Sequence, residues 1–499
     1  MDRQIQAHSE KSFFQKDCSL IICISRSLIC NKWGFLLSGE KQSVTMRLSK
    51  LKGIADVMVR KIFASLIMLT VLFRAPVTAD NDLNIDSLVS EFRAQTKCSE
   101  VSVVVYDHGE LSYYGDNKGL YQIGSMTKSF TGLAVQKLIN GGSLSGSDKV
   151  SDLISGFNAY YGSCEADITI DDLLMQRSGY TNSETDYPSA SEDMTLEEWA
   201  HSISGRELKT RPGEVYSYSN VNYNLLGLII EKTTGMTYRE YMEETLLNEL
   251  KLDSTSVGMP EDNGRIVEGT RPGFRTVFKY EVPVREGSIP AGYFYSDTED
   301  IGKWMKSWIE GEDPDMASVT DMLKEEGDYY GGWERFKGDT IGHSGGTPNY
   351  SSRIVFSRSG ETGVCVLTNL NVASTTDSLC NNIFAGLNGE VHNGLICDVW
   401  TVFDIIFTAV SVFGVMVFIL VLFLKKKGVL IGTGAAIAVL LALILILLPV
   451  IFGAGIKDIA LIWAPWSFLS GLIILTADVA AICIKLLTVK VNEGRAKTG

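Results

Sequence analysis

The sequence predicts an α+β domain followed by three membrane-spanning helices. Two observations point to the domain: β-branched runs typical of strands lie near both ends of residues 80–398, and helical periods lie between them. A third observation separates the two parts, because residues 402–424, 429–452 and 459–484 are apolar runs long enough to cross about 30 Å of hydrocarbon. We therefore expect one large domain with an inserted helical subdomain, followed by a membrane domain at 399–499.

The elements of the domain follow from local patterns. A hairpin is predicted at 101–106 and 111–114, where two strand-like runs flank a turn that contains glycine. Late strands at 352–356 and 363–368 would complete the same sheet. Helices are predicted at 125–139, 196–202, 222–233, 238–250, 298–309 and 376–387, where apolar residues recur every three to four positions.

The N-terminal region has the pattern of a secretory signal. After Met58, two basic residues precede a short apolar run that ends in a small-residue cleavage pattern at Ala79. We therefore predict a signal peptide at 58–79 and a non-native upstream segment at 1–57. An uncleaved membrane anchor is the alternative for the apolar run.

Charge is distributed unevenly along the 499 residues, whose net charge is −14. Residues 80–398 contain 25 Lys and Arg against 50 Asp and Glu, so nucleic acid is excluded as a partner because polyanions would be repelled. Lysines at 425–427 lie between the first two spans, and further basic residues follow the third.

By the positive-inside rule, these basic segments are cytosolic and the acidic domain faces outward. We therefore predict a multi-pass protein of the inner or plasma membrane, with the domain at 80–398 on the periplasmic or extracellular side and its C-terminus in the cytosol. Membrane lipid is an expected partner, and a homo-oligomer through the membrane helices is left open.

Ser125 and Lys128 form a candidate nucleophile and base. If a helix begins at Ser125, Lys128 lies one turn later on the same face. The free N–H groups at a helix start favour negative charge on the serine oxygen, and a desolvated lysine has a depressed pKa, so that it can accept the serine proton. The alternative is a capping serine with a surface lysine.

Tyr218 and Asn220 lie in a loop just before another helical period. A loop tyrosine close to a lysine can act as a general base. Asn220 can donate hydrogen bonds to an amide substrate and accept hydrogen bonds from it. The alternative is a packed tyrosine followed by an asparagine that caps the helix.

A glycine-rich segment contains His343, Ser344, Gly345 and Gly346. Glycines here would let the edge of a strand approach the backbone of a substrate. The segment also matches the Gly-x-Ser-x-Gly nucleophile elbow of α/β-hydrolases. That fold requires a helix after the serine, whereas Pro348 and β-branched residues follow in this sequence. We therefore interpret the segment as a substrate-binding strand.

Together, the three motifs resemble in order and spacing those of serine β-lactamases and penicillin-binding proteins, over about residues 84–390. The Tyr-Ser-Asn and His-x-Gly forms are similar to the class C branch. This resemblance implies a class C β-lactamase-like fold, with an antiparallel sheet flanked by helices plus a helical subdomain. It also implies an acyl-enzyme mechanism with no metal or other cofactor. One departure lies in residues 175–179, a loop that supports the predicted subdomain.

A closer resemblance extends beyond the motifs. A class C-like domain followed by three spans is similar to the colibactin-maturing prodrug peptidases, which remove an N-acyl-D-asparagine motif from exported non-ribosomal metabolites. The run from His343 to Ser352 resembles that group and implies that Asn349 contacts the D-Asn side chain or the scissile region. The alternative for Asn349 is an ordinary turn residue. Departures at Asn220 and Ser288 concern the acyl and amino-acid preference.

The resulting prediction is a membrane-anchored serine peptidase that cleaves an amide after a D-amino acid, in an acylated peptide or peptide-polyketide small molecule. Ser125 would attack, Lys128 and Tyr218 would relay its proton, and two backbone N–H groups, of Ser125 and Gly346, would hold the oxyanion. Alternatives at the same site are a cell-wall D-Ala-D-Ala peptidase, a β-lactamase or an esterase. A different class is a catalytically silent sensor. The predicted substrate-binding residues are Asn220, His343, Ser344, Gly345, Gly346 and Asn349.

Overall fold

The structure is a computed structural model that describes residues 83–498 except 185, 312 and 392. The predicted upstream segment (1–57) and signal peptide (58–79) lie outside the described residues. The strands are β1 (Val101–Asp107), β2 (Glu110–Tyr114), β3 (Tyr121–Gln122), β4 (Tyr160–Tyr161), β5 (Cys164–Glu165), β6 (Ser256–Val257), β7 (Thr270–Gly273), β8 (Thr276–Lys279), β9 (Phe294–Ser296), β10 (Tyr329–Tyr330), β11 (Trp333–Arg335), β12 (Thr340–Thr347), β13 (Tyr350–Ser357) and β14 (Thr362–Thr368).

The α-helices lie between these strands and after them. Several begin with a Thr or Asp whose side chain accepts a hydrogen bond from the first turn, as expected for N-caps. They are α1 (Ile85–Thr96), α2 (Thr127–Asn140), α3 (Val150–Leu153), α4 (Ile170–Leu174), α5 (Leu196–Ile203), α6 (Asn220–Thr234), α7 (Tyr238–Met242), α8 (Ile289–Gly292), α9 (Thr298–Glu310), α10 (Pro314–Glu326), α11 (Ala373–Leu387), α12 (Val399–Phe423), α13 (Lys427–Phe452), α14 (Ile456–Asp458) and α15 (Trp466–Thr498).

A seven-stranded sheet forms the centre of the domain, in the order β10-β11-β12-β13-β14-β1-β2. All neighbouring strands are antiparallel. The early hairpin β1–β2 lies beside the late strand β14, so the sheet joins the beginning and the end of the domain. This arrangement agrees with the α+β layout expected from the sequence.

Both faces of the sheet are buried. Val104 and Tyr106 of β1 pack into one hydrophobic core with α2 and α9, whereas Val103 and Val105 pack into a second core with α1 and α11. Successive side chains of a strand point to opposite faces, so a continuous run of apolar residues fills both cores. Helices on each face therefore hold the strands in a fixed position.

Several helix boundaries in the domain differ from the prediction. The helix predicted from Ser125 begins at Thr127, and a 3₁₀ turn (Gly124–Met126) precedes it. The helix predicted at 238–250 ends at Met242 and continues as a π-helical turn. A further strand, β12, contains the glycine-rich segment.

After the domain, three helices are long and apolar enough to cross a membrane: Val399–Phe423, Lys427–Phe452 and Trp466–Thr488. The third was predicted to begin at residue 459, and this boundary is wrong. Pro465 disfavours a helical conformation in the preceding residue, and Ala464 is extended, with ψ of 156°. The apolar residues before it form a separate π-helical turn.

Candidate active site

Ser125 lies on the 3₁₀ turn that leads directly into α2. Its neighbour Gly124 has a positive φ of 53°, and a Cβ at that residue would lie 2.5 Å from the backbone nitrogen of Gly346. Only glycine allows the turn to pack this closely against β12. The half-buried Ser125 is therefore held beside the backbone of the glycine-rich strand.

Lys128 follows one turn later and is fully buried. Its Nζ donates to Asn220 Oδ1 at 2.8 Å and to the carbonyl oxygen of Ala291 at 2.5 Å, and it lies 3.0 Å from Ser125 Oγ. Burial lowers the pKa of Lys128 well below its usual value, and no carboxylate in the described part of the chain opposes this shift.

These contacts suit a neutral lysine. A neutral amine has two N–H groups and one lone pair, whereas an ammonium has three N–H groups and no lone pair. The two oxygens of Asn220 and Ala291 cannot donate and account for two N–H groups. The third direction is left for the hydroxyl of Ser125, so Lys128 can accept the serine proton there.

Tyr218 lies against the same amine. Its ring centroid is 5.0 Å from Lys128 Nζ and 6.1 Å from the ring centroid of His343. Burial raises the pKa of Tyr218, and a hydrogen bond with Ser125 opposes part of the shift. Tyr218 is therefore a neutral phenol beside a lysine that readily loses its proton, and it is suited to donate a hydrogen bond or a proton.

The loop that contains Tyr218 is held by Gln176, a residue that the sequence did not single out as functional. Gln176 is buried and has a positive φ of 58°. Its backbone carbonyl accepts from the N–H of Ser217 at 2.8 Å, and its Oε1 accepts from the N–H of Ser219 at 2.9 Å. Gln176 therefore fixes the backbone on both sides of Tyr218.

Asn220 is the first residue of α6, and the helix is capped by Ser219 instead. The Ser219 hydroxyl accepts from the N–H of Val221 at 3.3 Å. Since the cap is supplied by its neighbour, the Asn220 side chain is free to reach Lys128. The alternative of Asn220 as a helix cap is wrong.

His343 is buried on β12 between aromatic rings. Its Nδ1 lies 2.6 Å from the carbonyl oxygen of Ser344, and its Nε2 lies 3.3 Å from the hydroxyl of Tyr329. Burial is the main cause that lowers the pKa of His343, to about 3. The imidazole is therefore neutral at physiological pH and adds no charge beside Lys128.

Gly345 and Gly346 bring the backbone of β12 to the site. A Cβ on Gly345 would lie 2.1 Å from the carbonyl oxygen of Ile123, whereas a Cβ on Gly346 would meet nothing within 4 Å. Strand β11 pairs with β12 at Ile341 and Gly342. Beyond that point, the side of β12 that faces away from β13 adjoins the turn of Ser125, where a substrate backbone could align.

Ser344 was predicted to bind substrate, but its side chain is directed to the other side of β12. Its Oγ donates to Asp377 Oδ1 at 2.9 Å and accepts from Arg353 Nη1 at 2.8 Å. The alternation of side chains along a strand places Ser344 opposite His343. The nucleophile-elbow alternative is also wrong, because Ser344 lies in the middle of a strand.

Asn349 lies in the turn between β12 and β13 and is buried. Its Nδ2 donates to the carbonyl oxygen of Tyr280 at 2.9 Å, and its Oδ1 accepts from the hydroxyl of Thr347 at 3.2 Å. Both ends of the amide thus have partners within the protein. This corresponds to the alternative of a turn residue.

These features define a class of protein: a serine hydrolase of the β-lactamase-like superfamily, with a class C-like α+β domain and three apolar helices. A family model described as Beta-lactamase matches residues 85–381. The chain therefore belongs to the beta-lactamase family. The predicted fold class and enzyme class are both confirmed.

A relative of known sequence matches part of the chain. Protein flp of Staphylococcus aureus (strain NCTC 8325 / PS 47) is 30% identical over 325 residues, which are 59% of this chain and 64% of that protein. The chain thus spans less than two thirds of this relative. The activity of the whole protein is therefore a proposal.

Two solved structures show the same fold. A D-stereospecific amidohydrolase from Streptomyces sp. has a TM-score of 0.50 and 21% identity, and covers 61% of this chain and 99% of its own. A class C beta-lactamase in complex with cefoxitin has a TM-score of 0.51 and 16% identity, and covers 61% of this chain and 97% of its own. At these identities the likeness concerns the fold alone.

Proposed function

We propose that the protein is a membrane-anchored serine peptidase that hydrolyses an amide after a D-amino acid, with Ser125 as nucleophile. The observation that carries this proposal is the position of Lys128. Its buried amine has two fixed acceptors, and its remaining contact is the Ser125 hydroxyl at 3.0 Å. A surface lysine beside a capping serine would have neither the burial nor this set of partners.

The mechanism follows from the protonation states. Lys128 accepts the proton as Ser125 Oγ forms a bond to the substrate carbonyl carbon, and the N–H groups of Ser125 and Gly346 stabilise the oxyanion. Tyr218 donates its phenolic proton to the leaving amine as the C–N bond breaks, and recovers a proton from the Lys128 ammonium. Water then attacks the acyl-enzyme, which releases the acid and returns the proton to Ser125.

The preference for a D-residue is the finer part of the proposal. It is supported by the fold shared with a D-stereospecific amidohydrolase and by the resemblance to prodrug peptidases that remove an N-acyl-D-asparagine motif. The proposed substrates are exported acylated peptides or peptide-polyketide small molecules. Because the amide of Asn349 is bonded within the protein, recognition of a D-Asn side chain is assigned to other groups of the cleft.

The membrane anchor and its orientation are also part of the proposal. The three apolar helices anchor the enzyme in the inner or plasma membrane. Three lysines, at 425–427, lie between the first two helices, and Lys485 lies near the end of the third. The positive-inside rule then places the catalytic domain on the periplasmic or extracellular side.

Replacement of Ser125 by Ala tests the nucleophile. We expect hydrolysis of an N-acyl-D-Asn amide to fall at least about 10³-fold in the full-length variant in detergent, with an unchanged melting temperature. Covalent labelling by a fluorophosphonate should be lost in parallel. Retained turnover or labelling in Ser125→Ala would contradict the assignment.

The substrate class is tested on the wild-type enzyme. Hydrolysis of N-acyl-D-Asn amides is compared with that of the L-Asn isomers, of N-acyl-D-Ala-D-Ala and of a β-lactam. We expect the D-Asn amides to have the highest kcat/KM. Equal or faster turnover of the last two substrates would identify a cell-wall peptidase or a β-lactamase instead.

A further inference from the structure

Arg271, on β7, is a fully buried arginine whose guanidinium lies against the membrane domain. It donates to the carbonyl oxygens of Ala464, Leu461 and Ala460 at 2.6 to 2.7 Å. The guanidinium also stacks on Trp466, with 4.1 Å from Cζ to the ring centroid. These carbonyls belong to the π-helical turn and the residue before Pro465, where the helix ends and its carbonyls lack partners within the helix.

The hairpin that contains Arg271 is built for close approach to the membrane helices. A Cβ on Gly273 would lie 2.9 Å from Cβ of Trp466, so glycine is required at this contact. At the tip of the hairpin, the N–H of Arg275 donates to Asp404 Oδ2 of α12 at 2.8 Å. The other oxygen of Asp404 accepts from Ser467 at 2.8 Å. The tip is thus fixed to both the first and the third membrane helix.

From this hairpin, a series of contacts leads to the active site. The hydroxyl of Tyr280 donates to the carbonyl of Leu461 at 3.1 Å, and the Arg271 guanidinium lies 4.9 Å from the Tyr280 ring centroid. The backbone carbonyl of Tyr280 accepts from Asn349, and Asn349 accepts from Thr347. Thr347 directly follows Gly346 on β12. The turn that ends the substrate-binding strand is therefore fastened to the hairpin.

We propose that Arg271 is a positioning residue for hydrolysis: it clamps the membrane domain to the β7–β8 hairpin and so holds the β12–β13 turn, and with it the N–H of Gly346, in place for the oxyanion. The membrane domain is then a structural part of the active site as well as an anchor. This inference rests on the proposed function. Its physical basis is that three carbonyls at the end of the π-helical turn and two aromatic rings converge on one planar cation with five N–H donors.

The test uses full-length protein in nanodiscs with three variants. Arg271→Gln removes the clamp, and Arg271→Lys keeps the charge without the planar fork. Lys279→Gln is the matched control, because Lys279 lies on the same hairpin, is exposed, and pairs with Glu268 and Glu281 of the catalytic domain. Two quantities are measured: kcat and KM on an N-acyl-D-Asn amide, and hydrogen exchange of the peptide spanning residues 340–350.

We expect Arg271→Gln to lower kcat at least tenfold with KM changed less than threefold, and to speed exchange in residues 340–350. Arg271→Lys should have intermediate values, and Lys279→Gln should match the wild type. Because the hydrogen-exchange readout does not depend on turnover, it separates this inference from the proposed function, which Ser125→Ala tests.

The inference is overturned if kcat of Arg271→Gln stays within twofold of the wild type, whatever the exchange shows. It is overturned equally if kcat falls while exchange at 340–350 is unchanged. If Arg271→Gln does not fold, Tyr280→Phe, which removes only the hydroxyl bonded to Leu461, replaces it. That variant should show a smaller fall in kcat and faster exchange at 340–350, and a wild-type value of either overturns the inference.

Discussion

Two places in the molecule each contain a buried basic side chain that is bonded to oxygens. One is the candidate active site, and the other is the contact between the β7–β8 hairpin and the apolar C-terminal helices. Lys128 is bonded to one amide oxygen, one backbone carbonyl and one hydroxyl, and Arg271 is bonded to three backbone carbonyls. In the described residues, neither has a carboxylate partner. Burial lowers the pKa of both groups. The two environments are therefore alike, and the side chains differ.

The difference lies in what each side chain does when it is desolvated. A lysine that loses its proton becomes a base with a lone pair, whereas an arginine keeps its charge in proteins and donates from a rigid fork. In the proposed roles, the same kind of carbonyl environment therefore supports proton transfer at residue 128 and a permanent attachment at residue 271. The type of basic side chain, more than its surroundings, therefore decides whether the group acts as a base or as a permanent hydrogen-bond donor.

The largest expected effect on kcat/KM comes from replacing the lysine at residue 128 by the kind of side chain present at residue 271. Lys128→Arg keeps a cation among the same oxygens but cannot accept the Ser125 proton, so we expect kcat/KM to fall about 10³-fold. The measurement is hydrolysis of an N-acyl-D-Asn amide by full-length protein, with the melting temperature as a check on folding. By contrast, Arg271→Lys should keep a measurable part of the wild-type kcat.

A Lys128→Arg enzyme that folds and retains more than about a tenth of wild-type kcat/KM would contradict the role of Lys128 as base. The exposed Lys279→Arg on the β8 strand is a matched control for the substitution itself. It should leave kcat/KM unchanged, because its partners Glu268 and Glu281 can bind either cation.

A smaller effect is expected in the pH dependence. The base must be unprotonated to act, so kcat/KM should rise with pH through the pKa of Lys128, which burial places well below its usual value. His343, with a pKa lowered to about 3, stays neutral across this range. We therefore expect His343→Gln to leave the midpoint of the acid limb within about half a pH unit of the wild type.

The measurement is a pH profile of kcat/KM from pH 4 to 9 for both proteins. A wild-type profile whose acid limb disappears in His343→Gln would identify the imidazole as the titrating group. It would also show that the burial of His343 does not hold the ring neutral. Only the position of the limb decides, because the substitution can change the height of the profile through packing against Tyr218 and Tyr329.

The sequence predicted the residues whose roles depend on their own chemistry and local spacing. Ser125 and Lys128 are one turn apart, so their pairing could be inferred without the fold. Gln176, the carbonyl of Ala291 and Arg271 could not be found in this way. They act through backbone carbonyls and amides that lie distant in sequence, and a backbone contact leaves no pattern of residue types.

The same reasoning explains which parts of the fold were predicted. The helix at 298–309 was found within one residue, because its strongly apolar face repeats along Thr298–Glu310. The start of the third apolar helix was predicted too early in the sequence. The apolar run continues across Pro465, and a hydropathy pattern contains no information about where the backbone leaves the helical conformation. The strand β12 was incompletely anticipated because its glycines carry no alternation of apolar side chains.

The smallest effect on activity is expected at Ser344, the neighbour of His343 on β12. Its hydroxyl is bonded to Asp377 and Arg353 on the opposite side of the strand from Lys128. Ser344→Ala should therefore lower the free energy of unfolding by about 1–3 kcal/mol, because the half-buried Asp377 and the buried Arg353 each lose a hydrogen bond. Its kcat/KM should stay within about threefold of the wild type, since a threefold change is less than 1 kcal/mol of transition-state stabilisation.

The Ser344→Ala variant shows whether the Ser344 hydroxyl stabilises the fold or takes part in the reaction. Thermal unfolding and kcat/KM are measured on the same full-length preparation. A melting temperature equal to the wild type with a hundredfold loss of kcat/KM would place the Ser344 hydroxyl in the cleft, as the sequence first suggested. The expected opposite result follows from the alternation of side chains in a strand, which assigns adjacent residues to different tasks: His343 adjoins the reaction centre, and Ser344 fastens β12 to the helix behind it.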